Sequence, residues 1–359
     1  MSRWRQLFGR LALVAAVLIA ATAVLTVHTA PALAQQEGRV PGDALGSTSD
    51  ADFWRALRQG AQGTVPQPDP SAGQLIQSEG ESWRAIRNGP LSTYGVWAIL
   101  GIIALLALFF AIRGRIRIEH GRSGHTITRF GFIERFTHWL TATCFVVLAL
   151  TGLNMLYGRY ALRPLIGADA FAALTLAGKY AHNYLAFGFM LGVLLMIVLW
   201  LPYNFPNRHD FVWIAKGGGM FRKGVHAPAA KFNAGQKLIF WLVVLGGISV
   251  SFSGIMLMFP FQLDAFGPTF GWINWLFGTS YPTQLAPIQE MQLAQVWHAI
   301  LGLFLTIVII AHIYIGTIGM EGAFDAMGSG KVDENWAREH HDVWVRDLEQ
   351  KGRLVGGDD

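Results

Sequence analysis

Cysteine is almost absent from this sequence, and charged residues are scarce. The single cysteine, Cys144, lies within an apolar run, so no disulfide can form within the chain. No C-x-x-C-H motif occurs, which excludes covalently attached c-type haem, and Cys-ligated iron–sulfur clusters are excluded as well. Only 14% of the 359 residues are charged, whereas 52% are hydrophobic. That balance is typical of a protein with several membrane-spanning helices.

The net charge of +5 does not indicate a nucleic-acid partner. The basic residues cluster in loops between apolar runs, where they act as a topology signal for membrane insertion. Loops 113–135 and 202–237 are rich in arginine and lysine, whereas loop 260–292 has neither and is rich in aromatic residues. The expected partner is therefore membrane lipid, with no nucleic acid.

The N-terminal region is predicted to be exported. Residues 1–34 have an arginine-containing start, a long apolar core and Ala32-Leu33-Ala34, which predict a cleavable signal peptide; an uncleaved anchor helix is the alternative. Residues 35–92 are polar and are predicted to be periplasmic. They hold two copies of a W-R-A-x-R pattern, Phe53–Gly60 and Ser82–Gly89, each typical of a short helix ended by glycine. These helices would rest on the membrane or bind an extracytoplasmic partner.

Five apolar segments follow. The predicted order is an extra transmembrane helix at 93–112, a basic cytoplasmic loop at 113–135, a four-helix core at 136–320 and a cytoplasmic tail at 321–359. Within the core, the third span of the chain is predicted to begin at Tyr180 after an outside loop at 157–180. Loop charge alternates consistently with a periplasmic N-terminal segment and a cytoplasmic C-terminus.

The last apolar segment carries two histidines fourteen residues apart, His298 and His312. Fourteen helical steps of about 100° fall roughly 40° short of four turns, so both imidazoles lie on nearly one face, about 21 Å apart. Ionisable side chains inside a membrane span are candidates for a functional site. Because imidazole is a common ligand of iron, the spacing predicts two metal centres, one near each membrane edge.

Two further histidines open apolar segments at opposite edges of the membrane. Topology places His138 on the inner side with His312, and His182 on the outer side with His298. Two b-type haems, each held between two imidazoles, would use all four. A single histidine at the end of a span is usually an interface or packing residue, but an even division of four by depth favours the haem interpretation.

The remaining histidines of the mature chain lie in loops and in the tail. Most are predicted to be solvated: His120, His125, His209, His226, His340 and His341. The last two stand near Trp336 and Trp344 and could instead cover the cytoplasmic face of the helix bundle.

Three stretches of the sequence match one known family of membrane proteins. They are R-F-G-F-I-E-R-F-T-H-W at 129–139, K-F-N-A-G-Q-K at 231–237 and W-A-R-E-H-H at 336–341 with Trp344. With these stretches and His298 and His312, the chain resembles, over about residues 127–348, the cytochrome b (gamma) subunit of membrane-bound respiratory formate dehydrogenase. The histidine spacing alone is also shared with di-haem cytochromes b of hydrogenases.

This resemblance implies an all-α membrane protein: a four-helix transmembrane di-haem cytochrome b bundle, here with one extra N-terminal span and a cleavable signal peptide. It implies the same haem ligands as the topology does. His138 and His312 would bind the inner haem b iron, and His182 and His298 the outer one.

The resemblance also implies a quinone pocket beside the inner haem. Its residues would be Asn233, Gly235, Gln236 and His312, because amides can hydrogen-bond quinone carbonyls and glycine allows close approach of the backbone. The N-A-G-Q run is equally typical of a helix N-terminal cap, with Asn233 as the capping residue, and the two roles are compatible.

The implied function is electron transport in a bacterial cell inner membrane. A molybdenum- or tungsten-containing catalytic (alpha) subunit would oxidise formate, and an iron–sulfur (beta) subunit would pass the electrons on. This chain would carry them through two haems b to quinone on the cytoplasmic side. It would be the quinone-reducing part of the enzyme complex, with no formate-oxidising site. The added segment 35–92 would contact the partner subunits.

Two other functions remain open at this point. One is a cytochrome b subunit of another respiratory oxidoreductase, of the hydrogenase or thiosulfate reductase type. The other is a haem-free membrane anchor or proton-coupled transporter that uses its histidines as proton relays. A reduced-minus-oxidised spectrum distinguishes the second from either cytochrome.

Overall fold

The computed structural model describes residues 80–353. The predicted signal peptide at 1–34, the first repeat Phe53–Gly60 and most of segment 35–92 lie outside these residues. Within the described range nearly all regular structure is helical, and the two strands are three residues long each.

The elements follow in chain order. The first are α1 (Gly80–Ile86), α2 (Ser92–Arg113), β1 (Thr126–Thr128), α3 (Phe132–Ala161), α4 (Arg163–Ile166) and α5 (Ala168–Trp200). The next are α6 (Arg208–Ala215), α7 (Ala234–Met258), α8 (Phe266–Phe277) and α9 (Pro287–Tyr314). The last are α10 (Asp325–Gly328), β2 (Lys331–Asp333), α11 (Glu334–His340) and α12 (Asp342–Gln350).

Five helices within residues 80–353 are long and apolar enough to cross a membrane. Counted with their adjoining turns, they are Ser82–Arg113, Phe132–Ala161, Ala168–Tyr203, Ala234–Met258 and Pro287–Gly319. Many large apolar side chains on them are exposed, for example Leu150, Leu194 and Leu245. Lipid tails would cover such side chains, and the chain is a multi-pass membrane protein.

The loop predicted at 157–180 is wrong, because this segment is almost entirely helical. α3 continues to Ala161, α4 follows, and α5 already begins at Ala168. The turn before α5 is Gly167 with φ +82°, a conformation that glycine adopts readily. Segment 168–179 is rich in alanine, so helix propensity extends α5 beyond the apolar run by which the span was delimited. His182 therefore lies inside α5 rather than at its start.

The second W-R-A-x-R repeat forms a helix, as predicted, and glycine interrupts it. α1 passes into a π-helical turn, Arg87–Leu91, in which Gly89 leaves helical geometry with φ −95° and ψ −106°. The chain then enters α2, which packs on α9. A Cβ placed at Gly95 would come within 2.7 Å of the Leu303 side chain, so this approach depends on glycine.

The aromatic segment predicted as a loop at 260–292 contains a helix, α8. Glu290, near the start of α9, holds the beginning of α8 with a buried carboxylate. It accepts hydrogen bonds from the backbone N–H groups of Ala265, Phe266 and Gly267 at 3.0, 2.8 and 2.7 Å. Three charge-assisted bonds offset the cost of burying the carboxylate and join the loop to α9.

The C-terminal segment packs on one end of the bundle. We call residues 325–350, from α10 to α12, the tail cap. β2 pairs with β1 in antiparallel register, Thr126 opposite Asp333. Trp336, Val332 and Val345 are almost fully buried in one apolar cluster with side chains of the bundle and its loops. The charged tail is therefore part of the core rather than a solvated extension.

Candidate haem sites

The first candidate site lies at the end of the bundle that carries the tail cap. His138, in the second turn of α3, and His312, near the end of α9, have ring centroids 6.2 Å apart with an interplanar angle of 54°. We call them the tail-end pair. Trp139, the neighbour of His138, donates its Nε1–H to the Met327 carbonyl at 2.9 Å, which ties the tail cap to this site.

The second candidate site lies towards the opposite end of the same helices. His182 of α5 and His298 of α9 have ring centroids 6.1 Å apart at an interplanar angle of 61°. We call them the far-end pair. The structure thus brings the four histidines together in the two couples predicted from topology, and α9 contributes one member to each.

The separation within each couple suits a metal ion held between two imidazoles. An imidazole nitrogen lies about 2 Å from a bound metal, and the ring centroid lies roughly 1 Å behind that nitrogen, so opposed ligands place their centroids about 6 Å apart. Both couples have this spacing. Two axial nitrogens are the ligand set that a bis-imidazole haem iron requires of a protein.

Hydrogen bonds select the metal-binding tautomer at the far-end pair. Thr151 Oγ1 donates to the Val147 carbonyl at 2.7 Å, so it accepts from His182 Nδ1 at 2.8 Å. On α7, Ser253 Oγ lies 3.1 Å from His298 Nδ1, which also donates to the Val250 carbonyl at 3.0 Å. With Nδ1 protonated, the Nε2 of each ring is left as the free lone pair, as in most metal-bound histidines.

Two glycines lie against the same imidazoles, and the contact is tight at Gly254. A Cβ at Gly152 would lie 3.6 Å from His182 Cε1, and one at Gly254 would lie 3.2 Å from His298 Cε1. Each follows the residue that binds Nδ1, so Thr151-Gly152 and Ser253-Gly254 are two copies of one arrangement. Sequence reasoning missed them; the available signal was a hydroxyl–glycine dipeptide inside an apolar span.

At the tail-end pair no such partner exists within residues 80–353. His138 Nδ1 and the neighbouring Thr137 Oγ1 are buried with no hydrogen-bond partner among the described residues. Buried polar atoms are normally paired, so these two indicate a bound group or water at this end. A Cβ at Gly316, one turn after His312, would meet nothing within 4 Å, and the same is true of Gly302 after His298. The histidines and the open space beside α9 fit a flat iron porphyrin at each couple.

Over residues 129–330 the chain matches the sequence model described as prokaryotic cytochrome b561. This stretch is more than half of the chain and contains all four histidines. The chain belongs to the prokaryotic cytochrome b561 family. It is therefore a membrane cytochrome b, and haem b binding is a property of its family.

Curated relatives of this cytochrome b are subunits of formate dehydrogenase. The nitrate-inducible formate dehydrogenase cytochrome b556(Fdn) subunit of Escherichia coli (strain K12) is 25% identical over 227 residues, 62% of this chain and 92% of the relative. The cytochrome b556(fdo) subunit of the same organism is 25% identical over 224 residues, 62% and 93%. The cytochrome b556 subunit of Haemophilus influenzae is 25% identical over 217 residues, 59% and 79%. The predicted resemblance is confirmed.

The predicted quinone residues of this cytochrome b lie at the start of α7, where they also cap the helix. Asn233 Oδ1 accepts from the Gln236 backbone N–H at 2.9 Å, and Gln236 Oε1 accepts from the Asn233 N–H at 3.1 Å. Among the described hydrogen bonds, none uses the side-chain NH₂ group of either residue. A Cβ at Gly235 would lie 2.9 Å from the Trp213 ring, so an indole packs directly on this turn. The structure brings these three residues together, and it pairs His312 with His138.

The prediction that His340 and His341 are solvated is wrong. His341 is fully buried, and burial lowers its pKa well below the ordinary value. Burial also lowers the pKa of His340 to about 4. Both imidazoles are therefore neutral at pH 7. The alternative, that they cover one face of the bundle near Trp336 and Trp344, agrees with the structure.

Proposed function

We propose that this cytochrome b561 family member is the cytochrome b subunit of a formate dehydrogenase complex in a bacterial inner membrane. It carries electrons from an extracytoplasmic dehydrogenase through two b haems to quinone on the cytoplasmic side. The observation that carries the proposal is the two histidine couples, with ring centroids 6.2 and 6.1 Å apart, in a chain similar to cytochrome subunits of formate dehydrogenases.

His138 and His312 hold one haem iron, and His182 and His298 hold the other. Haem iron supplies reversible one-electron exchange. Thr151 and Ser253 fix the tautomer and the orientation of the far-end imidazoles. The shared helix α9 sets the interval between the two sites at about 21 Å.

Quinone binds beside the tail-end pair, at the pocket formed by Asn233, Gly235, Gln236 and His312. The free amide NH₂ groups of Asn233 and Gln236 donate hydrogen bonds to quinone carbonyls. The Trp213 indole against Gly235 offers the flat apolar surface that a quinone ring requires.

The partners are an iron–sulfur (beta) subunit and a molybdenum- or tungsten-containing catalytic (alpha) subunit, which oxidises formate. Support comes from the relatives in Escherichia coli and Haemophilus influenzae, which are cytochrome b556 subunits of formate dehydrogenase. Loop charge supports a cytoplasmic tail cap, because arginine and lysine are concentrated in 113–135 and 202–237. The proposed arrangement also includes a signal peptide and the periplasmic segment 35–92. In it, α2 is an extra span added to a four-helix core.

A redox-titrated optical spectrum of the purified complex, with its formate-to-quinone activity, tests the proposal. We expect a b-type α-band that titrates with two midpoint potentials, and quinol formation that depends on formate. Absence of the band contradicts the haem assignment. A b-type band together with co-purified hydrogenase or thiosulfate reductase subunits would retain the haems and contradict the formate assignment. Deletion of 35–92 is expected to loosen the complex in detergent.

A further inference from the structure

Four buried polar atoms that have no hydrogen-bond partner among residues 80–353 lie together, three of them in the tail cap. They are Arg129 Nε, Trp336 Nε1, His340 Nε2 and His341 Nε2. The Trp336 ring lies at the centre of the group, with its centroid 5.3 Å from each of the two imidazole centroids. Arg129 Cζ stands 5.2 Å from the Trp336 ring. Native proteins rarely leave buried polar atoms unpaired, so a cluster of four indicates ordered water between them.

One side of this cluster reaches the solvent through carboxylates and exposed imidazoles. Glu339, whose side chain is 4% exposed, lies 2.9 Å from Nδ1 of His120, whose side chain is 74% exposed. The Glu339 carboxylate also accepts the backbone N–H groups of Glu119 and His120, both at 3.0 Å. His226 adds a second exposed imidazole, 3.2 Å from the Glu339 carbonyl and 3.1 Å from the Glu119 carboxylate. Proton-exchanging groups therefore extend from bulk water to Glu339, the residue that precedes His340 of the cluster.

The other side of the cluster reaches the first turn of α7. His341 donates its Nδ1–H to the Ala230 carbonyl at 2.7 Å, which leaves Nε2 as an acceptor inside the cluster. Arg129 donates to the Lys231 carbonyl at 2.6 Å and to Gln236 Oε1 at 3.2 Å. Gln236 belongs to the proposed quinone pocket. The cluster thus spans the distance between the solvent and that pocket.

The chemistry of the cluster suits proton transfer. A neutral imidazole accepts a proton on one nitrogen while it releases one from the other, and both buried histidines are neutral at pH 7. The charged groups around them are Arg129, Glu339, Glu119 and His226, with Glu134 and Lys231 paired at 2.7 Å beyond Arg129. Arg129 keeps its charge and repels a second resident cation, so a proton would pass through rather than remain.

We propose that Glu339, His340 and His341, with the water held around Trp336, form the route by which protons enter the quinone pocket. The inference rests on the proposed function, in which a quinone accepts two electrons from the haems. Two protons from the solution on the tail-cap side balance the reaction, quinone + 2 e⁻ + 2 H⁺ → quinol. The three residues are positioning and relay groups for this step.

The test uses the whole complex, reduced by formate, with one variant at each of the three residues. His341→Asn keeps a donor for the Ala230 carbonyl and removes the titratable nitrogen. Glu339→Gln removes the ionisable group and keeps one of the two side-chain oxygens that accept the N–H groups of Glu119 and His120. His340→Ala opens an imidazole-sized space. His125→Ala is the matched control, because His125 is exposed on the same loop and lies outside the cluster.

Two rates are measured: haem reduction by formate, followed optically, and quinol formation. We expect haem reduction to match wild type in every variant, whereas quinol formation falls about tenfold or more in the three cluster variants and not in His125→Ala. Added imidazole should restore quinol formation in His340→Ala. A purely structural role for the cluster would give no such rescue.

Two other outcomes would overturn the proton route. Unchanged quinol formation in all three cluster variants, or an equal loss that imidazole does not restore, overturns the proton route and leaves the proposed function intact. A wild-type complex that shows haem reduction but never forms quinol overturns both.

Discussion

The tail-end and far-end pairs have nearly the same geometry and very different surroundings. Their ring centroids are 6.2 and 6.1 Å apart. At the far end, Thr151 and Ser253 bind the Nδ1 atoms of the two rings. At the tail end, His138 Nδ1 is buried without a partner within residues 80–353. The two pairs of imidazoles therefore have nearly the same spacing, although hydrogen bonds from the described residues fix the tautomers only at the far end.

This difference shows that the distance between two paired imidazoles and the orientation of each ring are set by separate parts of the chain. Helix packing fixes the distance between imidazoles at both ends, whereas hydroxyl groups on neighbouring helices select the tautomer at the far end alone. At the far-end pair the chain itself fixes both imidazoles through Nδ1, as supporting hydrogen bonds do for metal-binding histidines. At the tail end, no side chain among residues 80–353 binds His138 Nδ1, so the orientation of this ring depends on a bound group or water.

The largest effect that separates the two pairs should come from removing a ligand. His298→Ala is expected to abolish the far-end haem and to leave the tail-end haem, because each couple uses its own pair of rings. His312→Ala should give the converse. Redox-titrated spectra of each variant should lack one of the two b-type components, and the missing component should differ between the two variants. Loss of both components from either single variant would mean that the sites do not form independently.

Acid should loosen the tail cap. Burial lowers the pKa of His340 to about 4, against 6.5 for an ordinary histidine, so the unfolded cap binds a proton that the folded cap does not. Stability is then complete above pH 6.5 and falls as the pH drops towards 4, by up to about 3 kcal/mol. Hydrogen exchange of α11 and α12 should rise between about pH 6.5 and 5 while α8 stays protected. His340→Ala should flatten this dependence, and an unchanged profile would contradict it.

Removing the hydroxyl partners should make the far end resemble the tail end. Ser253→Ala and Thr151→Val delete the oxygens that bind Nδ1, and loss of such supporting bonds typically costs about 10–100-fold in metal affinity. The midpoint potential and haem occupancy of the far-end component should change while the tail-end component does not. Thr306→Ala is the control, since its hydroxyl bonds the Gly302 carbonyl of its own helix. Equal shifts in all three variants would refute the assignment.

The smallest effect should come from Gly254→Ala. The new Cβ would lie 3.2 Å from His298 Cε1, close enough to push the ring by a few tenths of an ångström. We expect a small shift in the far-end potential with little change in haem content. Gly101→Ala on α2, where a Cβ meets nothing within 4 Å, should leave both components unchanged. A larger shift from Gly101→Ala than from Gly254→Ala would contradict the close contact.

The sequence was sufficient to predict which histidines meet. The helical phase determines the helix face on which a histidine lies, and the loop charges determine its depth in the membrane. These two quantities are enough to sort the four histidines into two couples. The cap formed by Asn233 and Gln236 was equally visible, because capping depends on residues three positions apart.

What could not be predicted depends on contacts between distant segments. Thr151 and Ser253 bind histidines 31 and 45 residues away, and such bonds require the relative rotation of two helices, which hydropathy does not contain. The burial of Trp336 and His341 was not predicted, because the charged residues around them in the sequence indicate a solvated tail. The early start of α5 was missed because the segment that begins at Ala168 is helical through its helix propensity, whereas the span was delimited by its apolar residues.

Because α9 contributes one histidine to each pair, the interval between the two pairs is discrete. One residue inserted between His298 and His312 would turn one imidazole by about 100°, whereas four would bring the spacing to about five full turns and lengthen the gap by roughly 6 Å. No small adjustment of this helix is open to mutation. The distance between the two pairs can therefore change only in steps of about one helical turn, roughly 5.4 Å, so single-residue insertions do not alter it gradually.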